Sequence, residues 1–77
     1  MKKRERWEEN FRIGVRIDRG TAVISANREG LLSLANLLTG LAEETAGSHI
    51  HLDEYNSLEE NSAELILEHS ASFGEKR

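Results

Sequence analysis

Apolar residues recur along this chain at two different spacings, and the switches between them divide it into five elements. Phe11, Ile13, Val15 and Ile17 take every second position, with Arg12, Gly14, Arg16 and Asp18 between them, the mark of a strand with one buried face. Asp18-Arg19-Gly20 supplies turn chemistry, and residues 21–26 resume with β-branched Thr21, Val23 and Ile24. The two segments form an antiparallel hairpin most simply, with Ala22, Ile24 and Ala26 on its inner face. From Asn27 the period lengthens. Leu31, Leu34, Ala35, Leu38, Leu41 and Ala42 recur at steps of three and four, and Leu32 and Leu37 widen the stripe. Asn27 suits an N-cap and Glu29 suits the positive end of the helix dipole, which predicts a helix over 28–45 with Gly47 as its C-terminal cap. Gly30 and Gly40 each cost up to about 1 kcal/mol relative to alanine inside a helix, and such glycines persist where a neighbouring element packs closely. In the third strand Ile50 and Leu52 point inward, with His49, His51 and Asp53 outward. In the fourth, Ala63, Leu65 and Leu67 face the core and Glu64, Ile66 and Glu68 face away.

The expected fold is α+β: a two-layer ββαββ unit, a four-stranded, mainly antiparallel sheet with one helix packed on one face. Phe11, Ile13, Val15, Ile17, Ile24, Ile50, Leu52, Leu65 and Leu67 join the helix leucines in its core. The other sheet face is mixed, with Val23 and Ile66 among Arg12, Arg16, His49, His51, Glu64 and Glu68. These two residues and the spare Leu32 and Leu37 suggest apolar surface finished by another chain, as in a homodimer.

Length and composition narrow the picture. Seventy-seven residues make one small domain (1–77), with a basic, flexible arm expected over 1–10 and a flexible tail over 70–77. The chain has no cysteine, hence no disulfide and no thiolate metal site, and no proline. No apolar run is long enough to span a membrane, and the N-terminal charges precede no apolar segment of a secretory signal, so the expected compartment is the cytoplasm. Residues 1–20 hold seven Lys/Arg against four Asp/Glu, and residues 21–77 hold three against ten. An acidic body repels phosphate backbones and favours basic partner surfaces, so nucleic acid is not the expected ligand.

Candidate chemistry is sparse. His49 and His51 on a strand would stand about 6.5–7 Å apart on one face, a zinc-compatible spacing only if ligands such as Asp53, Glu64 or Glu68 converge. Paired surface histidines amid carboxylates account for the same residues without metal. The sequence offers no nucleophile motif and no sign of an enclosed apolar site, so neither an enzyme nor a cofactor is expected. The loop over 53–62 carries Asp53, Glu54, Glu59 and Glu60 with Tyr55 and Leu58 among them. It reads either as a solvated loop with Tyr55 laid on its own sheet or as a contact surface with an aromatic anchor. Trp7 either caps the edge of the core or anchors the arm to a partner.

Three stretches carry a resemblance. Asn27-Arg28-Glu29-Gly30-Leu31-Leu32-Ser33-Leu34-Ala35, Gly47-Ser48-His49-Ile50-His51-Leu52-Asp53 and Asn61-Ser62-Ala63-Glu64-Leu65-Ile66-Leu67-Glu68 are similar to the immunity protein 32 family of bacterial polymorphic toxin systems, over about residues 21–68. The resemblance implies a cytoplasmic antidote that binds a cognate toxin domain tightly and performs no chemistry of its own. Under it, His49, His51, Asp53, Glu54, Tyr55, Glu59, Glu60, Glu64 and Glu68 form the expected contact surface for a basic toxin. The alternative is a small homodimeric scaffold that needs no toxin.

Overall fold

A computed structural model describes residues 7–73. The elements come in the expected order: β1 (Ile13–Asp18), β2 (Thr21–Ala26), α1 (Arg28–Ala42), β3 (His49–Leu52) and β4 (Leu65–Glu68). β1 and β2 pair antiparallel from Ile13↔Ala26 to Asp18↔Thr21, closed by the two-residue turn Arg19-Gly20. Both turn residues have positive φ, 55° and 84°, the geometry of a type I′ turn whose twist matches a hairpin, and glycine takes the second position without strain.

The four strands form two antiparallel pairs, β1-β2 and β3-β4, not one continuous ladder. The segment before β4 joins them. Glu59 N donates to Ile13 O at 2.8 Å, Ala63 N donates to Val15 O at 2.8 Å, and Val15 N donates to the Ser62 Oγ at 3.2 Å. A serine hydroxyl thus stands where a ladder carbonyl would be. The partner numbers rise together, so this stretch runs parallel to β1. It also explains why β4 begins at Leu65 and not at Ala63: residues 59–63, with left-handed Asn61 (φ 71°) among them, serve β1.

Asn27 caps the helix as expected and does more. Its Oδ1 accepts from Gly30 N at 2.8 Å and from Arg12 N at 3.0 Å, its amide donates to Asn10 O at 3.0 Å, and its own N–H donates to Arg12 O at 3.1 Å. One side chain therefore fixes the helix start, the start of β1 and the residues before it. Gly30 sits at the tightest contact. A methyl there would collide with the Arg12 carbonyl oxygen and come within 2.9 Å of both Ala26 Cβ and Ile13 Cγ1.

The helix is shorter than expected, ending at Ala42 with Glu43 as its C-cap. Glu43 and Glu44 oppose the negative end of the helix dipole, and Thr45 is a poor helix former. Gly47 does not cap the helix. Its φ of 102° belongs to the turn into β3, where its N–H donates to His69 O at 2.6 Å. The last helical turn gains a side-chain partner instead, His69 Nδ1 at 3.1 Å from Leu41 O.

Ile13, Val15, Leu34, Leu37, Leu41, Leu52 and Leu58 are buried, with Trp7, Phe11, Ala26, Ile50, Ala63, Leu65 and Leu67 packed partly buried around the cluster. Two expectations about this core change. The helix presents Gly30, Ser33, Leu34, Leu37 and Leu41 inward, so its buried face is turned one step from the expected stripe. Leu31 and Leu38 are left 55% and 50% exposed, and Leu37, expected on the flank, is buried. The cause is Gly30 and Ser33: their small side chains permit close approach to the sheet and to residue 8. Ser33 is fully buried and fully satisfied, its Oγ donating to Glu29 O and accepting from Glu8 N, both at 2.8 Å. Ile17 and Ile24 lie on the inner face by register, yet they are 61% and 43% exposed because β1 and β2 extend beyond the helix.

Of the expected flexible arm, residues 1–6 lie outside the described residues. Trp7 stacks against Phe11 at 4.6 Å between ring centroids and caps the edge of the core, while Glu8 is tied to Ser33. The expected tail is described as far as Phe73, and residues 74–77 lie outside.

Candidate functional site

The loop between β3 and β4 is built from hydrogen bonds that its sequence supplies. Asp53 Oδ1 accepts from Tyr55 N at 2.9 Å and Asn56 N at 3.1 Å, and Asp53 O accepts from Asn56, Ser57 and Leu58 N. Asn56 returns the favour: its Oδ1 accepts from Asp53 N at 3.1 Å and its amide donates to His51 O at 3.2 Å. This is an Asx turn with reciprocal side-chain bonding. At the far side, Glu54 Oε1 accepts from Asn61 N at 2.8 Å and stabilises that residue's left-handed backbone. Leu58 anchors the loop in the core. Tyr55, by contrast, is 89% exposed and does not lie on its own sheet.

The expected contact residues therefore divide by task. Asp53 and Glu54 each devote a carboxylate oxygen to the loop's own backbone. Glu59 pairs with Arg12 at 2.9 Å, an exposed ion pair in which the guanidinium hydrogen bond holds the Glu59 carboxyl below its usual range and raises Arg12 further. Glu60 is exposed and makes no ion pair or hydrogen bond with the described residues. On the outer face of β3 and β4, the register sets His49 beside Glu68 and His51 beside Ile66. His51 Nδ1 lies 3.2 Å from Glu64 Oε2, and the two imidazoles meet edge to face at 5.0 Å between centroids. His49 Nδ1 turns instead toward Gly47 O at 3.5 Å. The imidazoles thus have separate partners, and Asp53 is occupied by its turn. Among the described residues, no group of three or more His, Asp or Glu side chains is arranged to hold a metal ion.

Sequence reasoning did not find Arg12, which lies 47 positions from Glu59, or Ser62, whose hydroxyl closes the seam between the hairpins. Neither has a local signal. Leu58 had one: a lone leucine three residues after an exposed tyrosine, in a loop with Asx-turn chemistry at its start. The described clefts are shallow, with volumes of 180, 200 and 240 Å3, below the range that encloses a drug-sized ligand. Among the described residues, no helix is long and apolar enough to cross a membrane.

Fold and surface together define a small α+β domain in which, among the described residues, no charged side chain is buried. The chain belongs to the immunity protein 32 family, whose model matches residues 21–70 and so takes in the helix, both later strands and the whole 53–62 loop. By that membership it is an immunity protein, which implies a toxin as its partner. No curated protein and no solved structure matches the chain.

Proposed function

We propose that this domain neutralises a cognate bacterial toxin by tight, non-covalent binding and carries out no chemistry of its own, in the cytoplasm of the cell that makes it. Family membership supplies the class of partner. The observation that carries the reading is Tyr55, an aromatic side chain held 89% exposed on a loop whose backbone is already fixed by Asp53, Asn56, Glu54 and buried Leu58. Binding through such a loop loses little conformational entropy, and an aromatic anchor supplies large contact area.

The acids around it set the chemistry of the partner. Glu60, Glu64 and Glu68 are exposed, and with Asp53, Glu54 and Glu59 they set carboxylates along the loop and the outer face of β4. His49 and His51 continue that surface along the outer face of β3. A toxin with a basic cleft is drawn to it, with an association rate that falls as salt rises. Glu59 contributes less than its neighbours, because Arg12 already neutralises it.

The test is capture of a candidate toxin domain from the native host by the purified domain, with Tyr55→Ala and Glu60→Lys variants in parallel. Wild type is expected to bind and to abolish the toxin's activity. Each variant should weaken capture by about 2 kcal/mol or more, the loss typical of an interface anchor. Variants that capture as well as wild type place the interface elsewhere; a toxin left fully active by saturating wild type refutes the function.

A further inference from the structure

β2 is the outer strand of its pair. β1 lies on one side of it, and no strand lies on the other among the described residues. Edge strands expose backbone N–H and C=O groups, and proteins blunt them with charge, proline, a bulge or brevity. β2 has none of these. Its sequence, Thr-Ala-Val-Ile-Ser-Ala, is six residues long, uncharged and free of proline, and its register with β1 runs without a bulge. By contrast the outer strand β3 has four residues, two of them histidines, with Asp53 immediately after.

Four of the exposed apolar residues belong to this hairpin and to the helix that follows it. Ile24 lies in β2, Ile17 shares the inner face of the hairpin, and Leu31 and Leu38 stand on the exposed flank of α1, one helical step from the buried Gly30, Leu34 and Leu37. No acidic residue interrupts β2, whereas residues 53–68 hold six. A basic toxin drawn to the acidic loop finds nothing to attract it here. A second copy does, because this is the one long uncharged strand edge among the described residues of a chain that otherwise repels itself with a formal charge of -4. The ends of β2 agree. Asp18 and Arg19 lie at its turn, Arg28 and Glu29 open the helix just beyond its other end, and none of the four forms an ion pair among the described residues. Antiparallel pairing about a two-fold axis brings the turn of each copy beside the far end of the other strand, so Asp18 and Arg19 of one copy meet the oppositely ordered charges Arg28 and Glu29 of the other.

We infer that two copies of this chain pair through β2, antiparallel about an axis near Val23 and Ile24, so that Ile17, Ile24, Leu31 and Leu38 are covered by the second copy. The toxin-facing loop takes no part in this contact, and the inference does not depend on the toxin reading.

The chain has no cysteine, so a single substitution gives a single reporter thiol. Residues facing each other across an antiparallel ladder have Cα atoms about 4.5–5.5 Å apart, inside the about 4.4–6.8 Å span of a disulfide, and a two-fold ladder sets only one residue opposite its own copy, so one of V23C and I24C should oxidise to a covalent dimer at least ~10-fold faster than Y55C. Light scattering of the wild type should give twice the mass of the chain, and I24K should return it to the monomer mass while keeping a cooperative melt. Equal oxidation rates at the three positions overturn the pairing, as does a wild type that stays monomeric at every concentration. A monomeric wild type whose I24K variant loses toxin capture also overturns it, and gives this edge to the toxin.

Discussion

Gly30→Ala sets two physical effects against each other with opposite signs. Helix propensity alone favours alanine over glycine by about 1 kcal/mol in a helix interior, and a residue with helical backbone gives up nothing by the change. Packing argues the other way. The added methyl meets the Arg12 carbonyl oxygen and lies 2.9 Å from Ala26 Cβ and Ile13 Cγ1, where carbon atoms prefer about 3.5–4.0 Å. Ile13 is fully buried, so neither it nor the β1 backbone has room to yield, and the helix must retreat. Overpacking of this kind costs about 1–3 kcal/mol. The retreat also stretches the 2.8 Å capping bond from Gly30 N to Asn27 Oδ1, and a lost cap is worth about 1 kcal/mol. The net expectation is a loss of about 2 kcal/mol, a large share of the few kcal/mol that a core of this size supplies. In a thermal melt followed by far-ultraviolet circular dichroism the midpoint should fall by about 10 °C, given about 4–8 °C per kcal/mol for a domain of this length. Thr39→Ala, at an exposed helical position, should raise it slightly through propensity alone. A Gly30→Ala midpoint equal to or above wild type would refute the close helix-to-strand contact.

Leu58→Ala should cost about 2–5 kcal/mol and leave little cooperative melt, whereas Tyr55→Ala, three residues away, should stay within about 0.5 kcal/mol of wild type; urea titration of both checks the contrast. Ser62→Ala removes the acceptor for Val15 N in the seam between the hairpins and should destabilise by about 1–3 kcal/mol, with amide hydrogen exchange at Val15 accelerated more than at residues paired within β1 and β2. Glu59→Gln tests the ion pair with Arg12. The folded carboxyl is depressed, so its contribution is present above the unfolded pKa of about 4.3 and fades as pH falls through the lower folded value. The melting midpoints of variant and wild type should therefore differ slightly at neutral pH and converge under strong acid; a gap that widens on acidification contradicts the assignment.

The elements, their order and the inward alternation of Ile13, Val15, Ile50 and Leu52 followed from periodicity because each strand buries one face and the helix another. What periodicity could not supply was relative placement. It assigned Leu31 and Leu38 to the core since leucines are expected there, but the helix rotates to bring Gly30 and Ser33 against the sheet, a choice made by small residues whose hydrophobicity carries no weight in the pattern. Ile17 and Ile24 have the right phase and the wrong neighbours: the strands outrun the helix that was to cover them. At the candidate site the acidic character of residues 53–60 was plain from composition. The use of Asp53 and Glu54 for turn geometry depends on Asn56 and Asn61, and the neutralisation of Glu59 depends on Arg12, a contact between distant parts of the chain that no local signal announces.

The loop that exposes Tyr55 also buries Leu58, and this has a bearing on how such a protein changes partners. The exposed tip and its foothold are separated by two residues, so most substitutions in the loop alter folding and recognition together. Asp53, Asn56, Leu58 and Asn61 are held by geometry. The side chains of Tyr55 and Glu60 are exposed and make no hydrogen bond among the described residues. If the loop meets the toxin as proposed, retargeting has few low-cost positions, and a library confined to 55 and 60 should keep its members folded while sampling much of the recognition this loop could offer.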